Sequence, residues 1–146
     1  MSRRFRLEEA ERLLPELAAA LREAIELKAR FQQAENELRQ ATAHIALVGG
    51  ASVNPKQLLA RRGRRDALAA RLKELIAGIE SHGCLVKDLD IGLIDFPTWF
   101  NGREVFMCWR LGEPAIQFWH EKDEGYRGRK PIDDEFRLAH RGERPS

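Results

Sequence analysis

The sequence predicts an α+β fold, a long antiparallel helical hairpin followed by a small antiparallel β-meander. Two stretches and the breaks around them carry the prediction. From Leu7 to about Val48 the chain is built from Ala, Leu, Glu, Arg and Gln, residues that lose little on entering a helix. Gly49-Gly50 and then Asn54-Pro55 follow, a stop and a start in quick succession. The segment from Gly92 to His120 holds Trp99, Trp109 and Trp119 together with Phe96, Phe100, Phe106 and Phe118, and contains two turn signals.

Within the first helical stretch, Leu14, Leu17, Leu21, Ala24, Lys28, Phe31, Glu35, Leu38, Thr42 and Ile45 recur at alternating steps of three and four. That is a heptad-like seam, weakened at Lys28, Glu35 and Thr42. Pro15 lacks an amide hydrogen and would crowd the carbonyl of residue 11, so a short segment over 7–14 and a separate helix over about 15–47 are expected. Asn54 is a suitable N-cap and Pro55 a suitable first residue for the second helix. Its stripe reads Leu58, Leu59, Leu68, Leu72, Leu75, Ile76 and Ile79, interrupted by Arg61-Arg62-Gly63-Arg64-Arg65. The short link makes the two helices antiparallel neighbours. Gly83 closes the helical region, so residues 1–83 form the hairpin, 84–135 a small sheet with a basic loop, and 136–146 a polar tail.

Extended chain begins at Cys84. Asn101-Gly102 is a strong type I′ hairpin signal, because both central positions need positive φ. It pairs Asp95 with Cys108, Phe96 with Met107 and Thr98 with Val105. Leu111-Gly-Glu-Pro114 supplies a second reversal, expected to pair Cys108 with Gln117, Met107 with Phe118 and Val105 with His120. One face then carries Ile94, Phe96, Val105, Met107, Trp109, Ile116 and Phe118, with Thr98 and His120 at its end; this is the expected core face. The other mixes Asp95, Cys108 and Gln117 with Pro97, Phe106 and Trp119.

Lys plus Arg number 25 against 23 Asp plus Glu, a net +2 in 146 residues, so any affinity for phosphate must come from local clusters. Two cysteines, Cys84 and Cys108, provide neither a disulfide framework nor the spacing of a structural zinc site. No run approaches the roughly 18 apolar residues of a membrane span, and no apolar stretch follows the basic start, so a cytoplasmic protein is expected.

Several stretches carry a resemblance. Phe5-x-Leu-x-Glu-Ala-x-x-Leu-Leu-Pro-x-Leu17, Val86-Lys-Asp88, Gly92-Leu-Ile-Asp-Phe96, Cys108-Trp-x-x-Gly-Glu113, Trp119-His-Glu121 and Gly125-Tyr-Arg-Gly-Arg-Lys-Pro-Ile132 together span most of the chain. In combination they resemble an uncharacterised bacterial and archaeal family, domain of unknown function 2203. Arg6 stands where that family often has Ser or Thr, which puts the cap of the first helix in question. The resemblance implies no activity.

Asp95, Cys108, Glu113 and His120 are the candidate polar or ligand residues, with Asp88, Asp90 and Glu121 nearby in sequence. In the register above His120 faces away from Cys108, which argues against one shared metal centre, and no metal or cofactor is assigned. A nucleophile pair drawn from Cys84 or Cys108 with His82 or His120 lacks an identifiable orienting group. His140 falls in the polar tail. Arg127, Arg129 and Lys130 in a glycine-containing loop, and Arg61, Arg62, Arg64 and Arg65 on the second helix, are candidate anion contacts. The apolar content of the hairpin favours a homodimer or larger oligomer acting as a structural or interaction protein. The alternatives are an RNA- or anion-binding accessory protein and a small metal-dependent enzyme or metal-binding protein.

Overall fold

The computed structural model describes residues 3–49 and 54–142. Two long helices, α1 (Leu7–Val48) and α2 (Pro55–Glu80), pack side by side and are followed by an antiparallel sheet of five strands. The strands are β1 (Leu85–Asp88), β2 (Leu93–Phe100), β3 (Arg103–Arg110), β4 (Phe118–Glu121) and β5 (Lys130–Pro131), in spatial order β1-β2-β3-β4-β5. A short helix α3 (Asp134–Ala139) ends the described fold. The sheet therefore extends the expected meander by one strand on each side and remains open.

α1 runs unbroken through Pro15, contrary to the expected division at residue 14. An interior proline costs about 3 kcal/mol, but the turns before it are held by tertiary contacts. Leu7 and Ala10 are buried, and Leu13 and Leu14 pack on the same core. The leading end is also capped without a hydroxyl at Arg6. Glu9 accepts the Arg6 amide at 2.9 Å, and His140 Nε2 accepts the Leu7 amide at 3.0 Å. His140 Nδ1–H donates to the Phe136 carbonyl at 2.9 Å, which selects the tautomer that can accept at Nε2. Its ring stacks on Phe136 and is 2% exposed. Residues 136–141, expected within a polar tail, thus fold back onto the start of α1, and Arg141 forms a bridge with Trp99.

The buried seam of α1 differs from the expected one. Leu17, Leu21, Ala24, Leu27, Ala34 and Leu38 are buried, with Phe31 partly so, and Lys28 and Glu35 lie beside the seam. Shifting by one residue at Leu27 and again at Ala34 keeps the stripe apolar. α2 starts as expected, with Asn54 Oδ1 accepting the amides of Lys56 and Gln57. Leu68 and Ile79 are buried, whereas Leu59, expected in the stripe, is exposed. Gly49 adopts the left-handed conformation that ends α1; Gly50, expected to share the turn, lies outside the described residues.

Asn101 and Gly102 have φ of 52° and 76°, as a type I′ turn requires. The β2–β3 register follows: Asp95 opposes Cys108, Phe96 opposes Met107 and Thr98 opposes Val105. The β3–β4 register is one residue away from the expected one. Cys108 opposes Phe118, Met107 opposes Trp119, Phe106 opposes His120 and Val105 opposes Glu121. The cause lies in the connection. The Glu113 amide closes a turn on the Arg110 carbonyl, and the following residues leave the ladder so that Ile116 can enter the core. The Ile116 amide is bonded by Glu11 of α1 at 3.2 Å, not by β3.

The face turned to the helices therefore carries Ile94, Phe96, Val105, Met107, Trp109 and Trp119, closed by Phe5, Leu17, Leu21, Ile79, Ile116 and Phe136. Replacing His140 by Ala should strand the Leu7 amide in the core and lower stability by about 2 kcal/mol, within the range for a buried unsatisfied donor. Urea denaturation measures it, and the midpoint should fall with little change in slope.

Candidate metal centre

The opposite face of the sheet is the chemically distinctive one. Strand alternation places Asp95 of β2 and Cys108 of β3 side by side upon it. His120 of β4, opposite Phe106, joins them diagonally across β3. Asp95 is 1% exposed, Cys108 0% and His120 3%, so three groups with ligand chemistry share a site closed to water. One ligand atom from each lies within 4.8 Å of the others. The expectation that His120 faces away from Cys108 is corrected by the one-residue shift in β4.

The hydrogen bonds define what each group does. His120 Nδ1 is 2.8 Å from the Glu121 carbonyl, an acceptor, so this nitrogen carries a proton. Nε2 then turns toward Asp95 Oδ1 at 3.0 Å. Without a metal, both contacts are donor bonds only for the imidazolium. Burial is the strongest single influence and pushes the His120 pKa down, but the Asp95 bond, the Glu121 carbonyl and the charges of Asp95 and Glu124 together hold it above the ordinary histidine value. Burial, reinforced by the Asp95 charge, pushes the Cys108 thiol up to about 12, against the opposing pull of Arg129. Cys108 is therefore a thiol in the metal-free protein. With both His120 nitrogens engaged elsewhere, it has no base to activate it as a nucleophile.

The basic loop supplies the roof of this site. The 3₁₀ turn Tyr126–Gly128 and the residue after it bring Arg129 over the Phe118 ring at 4.1 Å and against the Tyr126 ring at 4.2 Å. Its guanidinium pairs with both carboxylate oxygens of Glu113, at 3.0 and 3.1 Å, and also lies beside Cys108. Glu113 is itself fixed by accepting the Arg110 amide at 2.6 Å. Glu113 therefore reaches the site only through Arg129. Lys130 pairs with Glu124, and the exposed Arg127 stands apart. Arg61, Arg62, Arg64 and Arg65 lie on α2, in the part of the hairpin that packs away from the sheet.

Other sequence candidates disperse. Asp88 accepts the Asp90 amide, and Asp90 pairs with Lys28. Glu121 pairs with Arg103. Cys84 is buried and donates to the Ile79 carbonyl; burial pushes its thiol up to about 11. His82 lies 3.6 Å from Glu16. The contact of Arg129 with Cys108 was not anticipated from the sequence. The only local signal was a buriable aromatic, Tyr126, within a cationic loop that must fold onto something apolar.

Together these features define an α+β protein in which a helical hairpin covers one sheet face and a buried Asp/Cys/His cluster occupies the other. Residues 3–132 match the family model described as "Uncharacterized conserved protein (DUF2203)", and the chain belongs to that family. No curated protein matches it, and no solved structure does. None of the helices among the described residues is long and apolar enough to cross a membrane.

The protonated His120–Asp95 pair has a signed consequence for stability. The folded-state pKa of His120 is raised, so its contribution is fully present below the unfolded value and is lost as pH rises through the folded one. Chelator-treated protein should lose urea resistance as pH increases above about 6.5, the ordinary histidine value. His120→Asn should abolish that part of the pH dependence. An unchanged slope in the variant would assign it to other groups.

Proposed function

We propose that this protein is a metal-binding protein whose centre consists of Asp95, Cys108 and His120. The observation that carries the reading is the convergence of these three groups in a buried cluster, with His120 Nδ1–H anchored on a backbone carbonyl. Metal-ligating histidines characteristically donate their second nitrogen in this way, which aims the other lone pair at the ion. The separations suit a small cation. Tetrahedral zinc with bonds of about 2.0–2.3 Å holds neighbouring ligand atoms about 3.3–3.6 Å apart. The three atoms here, within 4.8 Å of one another, reach that arrangement by small side-chain rotations.

A mixed nitrogen, sulfur and oxygen set favours zinc or a similar borderline transition ion over magnesium or calcium. Three protein ligands also leave a fourth position for water or a small ligand, the pattern of catalytic and not of structural zinc. Arg129, locked to Glu113, lies beside Cys108 and would moderate the charge of its thiolate. A cytoplasmic setting suits a centre that requires a reduced cysteine.

Metal-stripped protein should bind one equivalent of Zn²⁺, measured by competition with a chromophoric chelator. Asp95→Asn, Cys108→Ser and His120→Ala should each weaken binding by about 100-fold or more, at or above the loss typical of residues behind the ligands. Substitution with Co²⁺ should give thiolate-to-metal charge-transfer absorption in the parent and none in Cys108→Ser. Binding should also release about two protons, one from the Cys108 thiol and one from His120, in unbuffered solution. Stoichiometric binding that survives all three substitutions would reject this centre.

Self-association through the hairpin is a second reading, supported by an apolar groove lined by Phe31, Ala69, Leu72, Ile76 and Ala77 on its exterior. A second copy seated there would give a mass near twice 16.8 kDa by sedimentation equilibrium. Leu72→Glu should then return the protein to monomer. A parent protein that is monomeric throughout the micromolar range removes this reading.

A further inference from the structure

The hairpin has a distal arm that neither the metal centre nor the sheet uses. Lys28 still meets Asp90 beside the sheet. Beyond it, Ala34 and Leu68 belong with Leu27 to a small core separate from the sheet core. The remaining 20 residues of α1 extend about 30 Å at the usual rise per residue. Charge is segregated along this arm. From Leu38 to Arg65 the chain has no Asp or Glu, but it has Arg39, Lys56, Arg61, Arg62, Arg64 and Arg65. Six cations here against a total of +2 leave the rest of the chain at net −4.

The cations are organised along the two sides of the helix pair. Arg39, Arg62 and Arg65 line an open groove of about 510 Å³ whose floor includes the small side chains Thr42, Ala43 and Ala46. Arg61 lines the neighbouring depression with His44, Asn54 and Gln57. Arg65 is partly committed, to Asp66 at 3.0 Å and Glu35 at 3.8 Å. Arg39, Arg61, Arg62 and Arg64 have no ion pair among the described residues. Four exposed guanidinium groups repel one another in the free protein and gain most from an anion with repeated charges.

We propose that this arm binds double-stranded RNA through its phosphate backbone. The surface excludes two other nucleic-acid modes. Residues 38–65 contain no Phe, Trp or Tyr, so they lack the stacking platforms by which single strands are held. Two helices side by side present a face about 20 Å wide, too broad for the roughly 12 Å major groove of B-DNA. The wide, shallow minor groove of an A-form duplex accepts such a face, and Thr42 lies among Arg39, Arg62 and Arg65 on one side of the pair to meet a 2′-hydroxyl, as His44, Asn54 and Gln57 lie beside Arg61 on the other. Recognition is by shape and charge and is independent of base sequence.

The test is fluorescence anisotropy of the full chain with an RNA duplex of about 20 base pairs, slightly longer than a duplex-binding domain spans. The matching DNA duplex, single-stranded RNA and anionic phospholipid vesicles are compared, between about 50 and 200 mM salt. The RNA duplex should bind most tightly, with affinity falling steeply as salt rises. Combining Arg39→Gln, Arg61→Gln, Arg62→Gln and Arg64→Gln should reduce the log–log salt slope by about 2, for the arginines on the side that faces the duplex, and the affinity by about 10-fold or more. Circular dichroism and zinc stoichiometry should not change, since these side chains are exposed and remote from both cores. Absence of salt-sensitive RNA binding, equal or tighter binding of DNA, or no effect of the combined substitution would overturn the proposal. Preferential binding to vesicles would also overturn it, assigning the exposed Leu47 and Leu59 beside the arginines to a lipid surface.

Discussion

Strand parity governs the chemistry of this molecule. A strand has two faces and no intermediate, so each one-residue change in pairing reverses every side chain along it. Asp95 and Cys108 share a face because the Asn101-Gly102 turn admits a single register. His120 joins them because the connection from β3 to β4 contains one residue more than a tight reversal needs. That residue is accommodated where Ile116 leaves the ladder, inserts between helix and sheet, and donates its amide hydrogen to the Glu11 carboxylate. A contact between α1 and a loop therefore determines which side of β4 presents histidine and which presents Trp119. The same event completes the apolar core and assembles the polar cluster.

Placing ionisable groups between a sheet and its own loop requires electrostatic compensation. A buried acid–base pair recovers its desolvation cost only when every remaining donor and acceptor is matched. The site meets that condition closely. His120 spends its two nitrogens on Asp95 and a carbonyl, and Arg129 spends its fork on Glu113 while its faces lie on aromatic rings. With a protonated His120 and a thiol at Cys108, the charges of Asp95, His120, Glu113 and Arg129 cancel. A divalent cation replacing the two protons leaves the same total. On the proposed reading, the cluster would then be neutral whether protons or a metal held it.

Much of the architecture was legible because local signals and tertiary packing agree. The helix breaks at Gly49 and Asn54, the β2–β3 hairpin and the pairing of Asp95 with Cys108 all follow from residues whose backbone preferences are strong. The failures occur where a distant contact overrides local chemistry. Pro15 predicts a break, yet the core contacts of Leu7 and Ala10 and the ring of His140 hold the turn before it. His140 itself looked idle because its two partners, Leu7 and Phe136, lie in different parts of the sequence. The candidate site was half legible. Asp95, Cys108 and His120 stood among the candidates read from the sequence, but their convergence depended on a loop of ordinary composition whose extra residue has no sequence signature.

The helices serve the two ends of the molecule differently. Near the sheet, α1 contributes Leu17 and Leu21 to a core that fixes the strands behind the polar cluster. Farther out, a smaller cluster of Leu27, Ala34 and Leu68, flanked by Phe31, Leu72 and Leu75, holds the pair together, and the exposed faces are free to carry charge. The stretch of α1 beyond Leu21 carries the chain from the sheet core into the arm, whereas continuity through Pro15 serves the sheet end of the helix. A break there would separate Leu7 and Ala10 from Leu17 and Leu21. It would loosen the floor beneath Ile94 and Phe96, directly behind the strand that carries Asp95. The rigidity of the α1 start and the geometry of the polar cluster are thus one packing problem, solved on opposite faces of the same sheet.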